Sequence, residues 1–255
     1  MFKQIPNLFT LLNLVFGCLA IIFILQPGQA IAFIDREGYT SWNLPEKITW
    51  GCLFIFAAAI VDFLDGFVAR LLKSESAMGK QLDSLADLVS FGVAPGLIMY
   101  QLLRISFAKE ENGLDVSFAM LIPFLLIPCA AAWRLAKFNL DESQASSFKG
   151  LPSPAAGLVI ASLPLVIFYQ QSGLDTLLTN KWILYAIIFL ISFLMINPIK
   201  LLSLKFKNFN AKNNLPQYLI IIISVLAIIF LKWVAAPVIL VSYILVSLIF
   251  KNKIA

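Results

Sequence analysis

Long apolar runs, each close to the length that crosses a lipid bilayer, constrain this chain more than any other feature. A transmembrane helix needs about 20 mostly apolar residues, and eight runs of that kind are bounded by charges, Pro or Gly. They cover residues 8–25, 49–72, 81–103, 116–138, 154–170, 182–202, 218–231 and 234–250. With 60% hydrophobic and only 13% charged residues, the chain has more apolar surface than a soluble core of this size hides. The sequence therefore predicts an all-α fold, a polytopic transmembrane helical bundle of about eight spans.

The distribution of Lys and Arg orients the bundle. Eight spans put both termini on one side, and that side carries 13 of the 19 basic residues. Because cytoplasmic loops are enriched in positive charge, we expect both termini on the cytoplasmic side of the cell membrane. Basic loops beside anionic headgroups also explain the net charge of +5 without a nucleic-acid partner.

Two further features concern the organisation of the chain. A basic loop at 206–217 is predicted to separate a membrane core of six helices, residues 1–205, from a terminal loop and helix pair, residues 206–255. The first run could alternatively be a signal peptide cleaved at Ala30-Ile31-Ala32. That interpretation is disfavoured, because the run is longer than a usual signal sequence and its removal would break the charge parity.

The absence of histidine restricts the chemistry. With no His in the chain, catalysis must use carboxylates, hydroxyls, amines and metals. Cys18, Cys52 and Cys129 lie inside apolar runs, so a packing role is expected and no disulfide or cysteine metal site is implied.

Four aspartates, Asp62, Asp65, Asp83 and Asp87, lie near the ends of the second and third runs. A charge at membrane depth costs at least roughly 2.5–3.5 kcal/mol, so four acids close together need a compensating partner. At about 100° per residue, Asp62 and Asp65 share one helical face, and Asp83 and Asp87 share a face of the next helix with Ser90. The short connection between the runs lets the four carboxylates converge.

These oxygen ligands suit Mg²⁺ or Mn²⁺, and two ions about 3.5–4 Å apart would fit four aspartates and a diphosphate. Gly66 and Ala69 let a ligand approach the same face, and Arg70 offers donors for phosphate. Gly79 opens the third helix, whose N-terminal dipole attracts anions. The pattern predicts a metal-bound diphosphate site at the cytoplasmic surface of the membrane. The alternative is a set of structural or ion-pathway acids.

The same residues match a known motif. From Asp62 to Asp87 the chain reads D-x2-DG-x2-AR-x8-G-x3-D-x3-D, with all fixed positions present. It thereby resembles the CDP-alcohol phosphatidyltransferases, membrane enzymes with a six-helix core that transfer the phosphatidyl group of a CDP-linked lipid to an alcohol and release CMP. The resemblance implies metal binding by the four aspartates. It further implies a CDP site lined by Asp62, Gly66, Ala69, Arg70, Gly79 and Asp83.

Other segments resemble one branch of that family, the membrane-type phosphatidylserine synthases. They are Pro6, Asn7, Thr10, Asn13 and Gly17, with residues 83–95, 134–139 and 148–154. The resemblance implies direct displacement, with transfer from CDP-diacylglycerol to the hydroxyl of L-serine and Asp87 as the general base. It also implies a homodimer. The soluble phosphatidylserine synthases, which resemble phospholipase D, need catalytic histidines and are excluded.

The residues that would bind L-serine follow from its charge. A zwitterion needs a cation for its carboxylate, for which Arg134 is the first candidate and Lys149 the second. Both could instead be cytoplasmic anchors of the topology, which is the favoured interpretation for Lys149. Ser90, Asn13 and Asn139 are candidate polar contacts, and Asn13 could instead hold two helices together.

Two rival functions stay open at this point. The first is the same chemistry with glycerol 3-phosphate or inositol phosphate as the acceptor, which would favour a denser basic pocket. The second is a divalent-cation transporter, whose acids should line a path across the bilayer. The motif aspartates instead lie at one face, and the midplanes of the other runs lack acids.

Overall fold

The computed structural model describes residues 5–26, 28, 32–34, 40–42, 44–72, 76–110, 116–140, 148–169, 173–202 and 214–250. The α-helices in these ranges are α1 Ile5–Leu25, α2 Glu46–Leu71, α3 Ala77–Asp87, α4 Ala94–Ala108, α5 Leu126–Leu140, α6 Ser153–Tyr169, α7 Leu174–Leu178, α8 Lys181–Ile196, α9 Leu215–Leu231 and α10 Ala235–Ile249. Short helical turns of other types are Leu88–Val93 (π), Phe118–Met120, Ile122–Leu125 and Lys232–Val234 (3-10).

The predicted all-α membrane bundle is confirmed, and the chain is a multi-pass membrane protein. Within the described ranges, the segments long and apolar enough to cross a membrane are Pro6–Leu25, Glu46–Leu71, Ala77–Ala108, Phe118–Leu140 and Leu215–Ile249. The last segment is two packed helices, α9 and α10, that are joined at Lys232–Val234. Together with the shorter apolar helices α6 and α8, each predicted run corresponds to an apolar helix.

The end of the sixth predicted run is wrong. Helix α8 stops at Ile196 rather than continuing to residue 202, because Asn197 takes an extended backbone (ψ 131°) before Pro198. The chain then forms a strand, β4 Lys200–Leu201, that pairs antiparallel with β3 Phe148–Lys149. A second antiparallel ribbon pairs β1 Ala32–Ile34 with β2 Thr40–Trp42. The sequence predicted neither ribbon.

Two predictions fall on parts of the chain that lie outside the description. Residues 203–213, which include most of the basic loop at 206–217, are not among the described residues. The division at residue 205 therefore stays a prediction. Ala30 and Ile31 of the alternative cleavage site also lie outside the described residues.

The centre of the bundle is the π turn together with the helices packed on it. Phe91, in this turn, is fully buried in the main hydrophobic core. Helix α1 approaches the turn so closely that a Cβ built on Gly17 would lie 2.4 Å from Ser90 Oγ. Small residues permit such contact between membrane helices. The close approach carries the N-terminal half of α1 to the ends of α2 and α3 where the aspartates lie.

Candidate active site

Three carboxylates converge at one end of the bundle, as their spacing predicts. One oxygen each from Asp62 on α2 and from Asp83 and Asp87 on α3 lie within 4.8 Å of one another. Asp83 and Asp87 are one helical turn apart, so both face α2. Asp62, Asp65, Asp83 and Asp87 are called the acidic cluster below.

Asp65 completes the acidic cluster from one turn along α2. It is 6% exposed and interacts electrostatically with Asp62 and Asp83. The Thr10 hydroxyl of α1 donates to Asp65 Oδ2 at 3.0 Å, and the Pro6 carbonyl lies 3.2 Å from the same hydroxyl. The shorter distance is to the carboxylate, so α1 orients Asp65.

Asp87 is likewise held by α1. The Asn13 amide donates from Nδ2 to Asp87 Oδ1 at 3.2 Å. Asp87 is 7% exposed and Asn13 is fully buried. The Ser90 hydroxyl of the π turn donates to the Asn13 main-chain carbonyl at 3.1 Å. Asn13 thus joins two helices, the structural role that its place in an apolar run allowed.

Among the described residues, no cationic side chain lies within ion-pair distance of the acidic cluster. No described Lys or Arg forms an ion pair with any of its four carboxylates. Asp83 Oδ1 and Asn13 Oδ1 are buried and have no hydrogen-bond donor. Buried anions without a paired counter-charge are strongly unfavourable. Every atom of the acidic cluster that could bind a metal ion is an oxygen. The residues therefore fit a divalent cation that prefers oxygen ligands.

Thr10 had no predicted role, and Asn13 was predicted only as a contact for serine or as a link between two helices. A signal for both was present. Asn7, Thr10 and Asn13 recur every third residue in an otherwise apolar stretch, which puts them on one face of α1. Such a polar stripe inside a membrane helix marks contact with another polar group.

The residues predicted to line a CDP site lie on α2 and α3, the two helices that carry the acidic cluster. A Cβ on Gly66 would meet only the Arg70 guanidinium, at 3.6 Å, so this face of α2 is open. Ala69 is half-buried and Arg70 is exposed. The Gly79 N–H is not free for an anion, because it donates to the Ser76 hydroxyl that caps α3, at 3.0 Å.

Arg134 lies in the middle of α5. It is 8% exposed, and its Nη1 donates to Ser153 Oγ at 3.3 Å. Its Nε is buried without a hydrogen-bond partner, and its charge interacts with Asp87. A small cavity beside it is lined also by Lys137 and Pro198. Arg134 thus lies near Asp87 and has a buried N–H without a hydrogen-bond acceptor.

Asn139 belongs to a contact between α3 and α5. Its Nδ2 donates to the Ser84 hydroxyl at 2.8 Å, and Lys80 donates to its main-chain carbonyl at 3.1 Å. The Ser84 hydroxyl donates its own proton to the Lys80 carbonyl, so it accepts from Asn139 Nδ2. The oxygen of the same amide, Asn139 Oδ1, is buried and has no hydrogen-bond donor. The Lys149 side chain lies outside what the structure describes.

The fold and this site define a class: a multi-pass helical membrane protein with a cluster of carboxylates at one end of the bundle, whose oxygens fit a divalent cation. The sequence model for CDP-alcohol phosphatidyltransferases matches residues 3–194. The chain belongs to the CDP-alcohol phosphatidyltransferase family. The match covers α1 to α8 almost completely and stops before β4, α9 and α10.

Several curated relatives share one name, CDP-diacylglycerol–serine O-phosphatidyltransferase. The Bacillus subtilis protein is 36% identical over 140 residues, which are 51% of this chain and 71% of that protein. The Mycobacterium leprae protein is 32% identical over 254 residues, 96% of this chain and 70% of that protein. The Helicobacter pylori protein of strain 26695 is 30% identical over 239 residues, 89% of this chain and 81% of that protein.

Proposed function

We propose that this chain transfers the phosphatidyl group of CDP-diacylglycerol to the hydroxyl of L-serine and releases CMP. The observation that carries the proposal is the convergence of Asp62, Asp83 and Asp87 in a chain of this family. The shared name of relatives that align over most of the chain supports serine as the acceptor.

The acidic cluster is the proposed metal centre. Asp62, Asp65 and Asp83 would hold two Mg²⁺ or Mn²⁺ ions together with Asp87. Bound there, the ions would neutralise the diphosphate and stabilise the charge that develops on its oxygens. Thr10 and Asn13 set the direction of two of the carboxylates, as partners of ligands do in metal sites generally.

The CDP group is proposed to lie over the open face of α2. Asp62 and Asp83 would border it, Gly66 leaves space because a built Cβ there would meet only Arg70, and Ala69 adds only a methyl group. Arg70 is exposed at the edge of this face, and its planar guanidinium suits a phosphate group. Gly79 is the proposed contact from α3, where a built Cβ would lie only 3.1 Å from Asn7 Oδ1 and from Ser76 Oγ, so glycine is the residue that fits without displacing them.

Asp87 is the proposed general base. The serine oxygen forms a bond to the phosphorus of the phosphatidyl group, and the bond from that phosphorus to the bridging oxygen breaks. The bridging oxygen leaves with CMP, and the serine proton passes to Asp87. Asn13 donates to Asp87 Oδ1, and this hydrogen bond keeps the Asp87 carboxylate oriented for proton transfer. The rest of the catalytic effect comes from positioning and from charge neutralisation at the phosphorus.

Arg134 is the proposed contact for the serine carboxylate. Its unpartnered Nε and its place near Asp87 put a buried cation beside the reacting group. Ser90, Asn13 and Asn139 are the proposed polar contacts, and the last two each have a side-chain oxygen without a donor, which suits an ammonium group. Lys149 stays the second candidate for the carboxylate.

The setting of the enzyme is part of the proposal. We infer that the acidic cluster and both termini face the cytoplasm, since the loops on that side carry most of the Lys and Arg residues. A homodimer in the cytoplasmic membrane follows from the family resemblance alone.

The test is CMP release by the purified protein with CDP-diacylglycerol and Mn²⁺, with L-serine, glycerol 3-phosphate or inositol phosphate offered in separate reactions. A reaction without acceptor measures hydrolysis. We expect release with L-serine only, and its loss when EDTA removes the divalent ions. Release with a phosphorylated acceptor would retain the metal centre and contradict the choice of serine. No release with any acceptor would overturn the proposed function.

A further inference from the structure

Helix α10 lies outside the region that matches the family, yet it binds the main chain near the proposed acceptor site. The Tyr243 hydroxyl donates to the Leu202 carbonyl at 2.8 Å. The Leu202 N–H donates to Ser247 Oγ at 3.1 Å. Ser247 is fully buried and donates in turn to the Tyr243 carbonyl at 2.7 Å. Two side chains one helical turn apart therefore hold both polar groups of a single residue.

Leu202 is the end of a segment, residues 197–202, that leads back to Arg134. Next to it, β4 pairs with β3, and the Ile199 carbonyl accepts from Gly150 N–H at 2.9 Å. Gly150 has φ +79°, and a Cβ there would lie 2.8 Å from the Met195 carbonyl oxygen. This position therefore has no room for a side chain. The turn ends at Ser153, the fully buried partner of Arg134.

The same helix also lies close to Arg134, because Tyr243 is near the Arg134 guanidinium. Pro198, in the 197–202 segment, lines the small cavity that Arg134 and Lys137 share. A small hydrophobic cluster of Leu202, Ile220 and Val246, with Tyr243 packed against it, fixes α10 to the end of this segment.

We propose that Tyr243 and Ser247 are positioning residues for L-serine, because they hold Leu202 and thereby keep the 197–202 segment and the Gly150–Ser153 turn against Arg134. This inference rests on the proposed function, in which Arg134 contacts the serine carboxylate. The C-terminal helix pair, α9 and α10, then supports the acceptor site indirectly, through Leu202. It touches neither the acidic cluster nor the open face of α2 in the contacts above.

The test compares Tyr243→Phe and Ser247→Ala with the unchanged full-length protein by steady-state kinetics. Loss of one hydrogen bond that positions Arg134 should raise the KM for L-serine by about three- to tenfold. The KM for CDP-diacylglycerol should stay the same, and the midpoint of thermal unfolding should fall by only about 2–4 °C, because each change leaves one buried main-chain group of Leu202 without its partner. Ser242→Ala makes the same change as Ser247→Ala on the same helix and should leave both KM values unchanged.

A double-mutant cycle distinguishes positioning from general damage. Arg134→Ala should itself raise the KM for L-serine, and Tyr243→Phe should then add little, because its effect passes through Arg134. Full additivity would overturn the inference, as would an unchanged serine KM or an equal rise for both substrates. If the proposed function itself fails, the protein without any substitution will release no CMP with L-serine. That result is distinct from a failure of the positioning role.

Discussion

At the residue scale, α1 supplies no acid to the site and yet holds two of its carboxylates. Thr10 donates to Asp65 and Asn13 donates to Asp87. A carboxylate that turns freely loses side-chain entropy when it binds an ion, whereas one that is already bonded is in place before the ion arrives. A hydroxyl and an amide on a neutral helix can thereby set the affinity of a charged site.

Thr10→Val tests this arrangement, because valine keeps the shape of threonine and removes the donor to Asp65. We expect the Mn²⁺ concentration for half-maximal activity to rise about 10–100-fold, the usual range for the loss of a partner that orients a metal ligand. Thr10→Ser, which keeps the hydroxyl, should stay near the original value. Thr49→Val changes a threonine that bonds the Glu46 carbonyl and is the matched control. An equal shift in both valine variants would contradict the role of Thr10.

Asp87→Asn separates the base from the metal ligands. The amide oxygen can still accept from Asn13, so the geometry is retained while the proton acceptor is lost. We expect kcat to fall about 10²–10⁴-fold, with CDP-diacylglycerol binding largely retained in a direct binding measurement. Asp175→Asn, on α7, should leave kcat unchanged. Recovery of kcat at high Mn²⁺ concentration would show that Asp87 acts only as a ligand.

At the element scale, the π turn at Leu88–Val93 sets how α3 meets its neighbours. It follows Asp87 directly, and three of its residues are fully or nearly fully buried against other helices. Ser90 bonds the Asn13 carbonyl, and Gly157 of α6 packs on the Phe91 main chain, 3.2 Å from a built Cβ. The wider turn changes the register between α3 and α4, so the carboxylates of α3 can face α2 while α4 continues into the core. Such π segments are frequent at functional sites.

Gly17→Ala and Gly66→Ala form a matched pair, the same added methyl group at two places. At Gly17 the new Cβ would meet Ser90 Oγ at 2.4 Å and Ser90 Cα at 3.0 Å, so α1 must move away from the π turn. We expect a loss of about 1–3 kcal/mol in stability and a lower kcat, since Asn13 moves with α1. At Gly66 the methyl group would meet only the Arg70 guanidinium, at an ordinary contact distance of 3.6 Å.

Gly66→Ala should therefore keep the stability of the original protein and raise the KM for CDP-diacylglycerol. Thermal unfolding in detergent and steady-state kinetics measure the two effects. A stability loss in Gly66→Ala as large as in Gly17→Ala would contradict the open face on α2. An unchanged KM would remove that face from the proposed CDP site.

At the scale of the whole molecule, the parts that sequence predicts well are those with a strong physical signal. Apolar length predicts the helices, and the cost of four charges at membrane depth predicts that the aspartates meet. The end of α8 was missed because Leu201 and Leu202 extend the apolar run past Pro198. The two-residue strands β3 and β4 are too short to show a pattern. The π turn depends on packing by α1, α5 and α6, which no local pattern in residues 88–93 encodes.

The orientation of the bundle is the last expectation that one experiment can decide. Met78, in the first turn of α3, is 71% exposed at the end that carries the acidic cluster, and Thr176 is exposed on α7, in the predicted loop on the other side. In a background without the exposed thiols Cys18 and Cys129, a membrane-impermeant maleimide should label Thr176→Cys in intact bacterial cells. Met78→Cys should react only after the membrane is permeabilised, because basic loops keep that end in the cytoplasm. Labelling of Met78→Cys in intact cells would reverse the orientation and place the acidic cluster on the side away from cytoplasmic CDP-linked substrates.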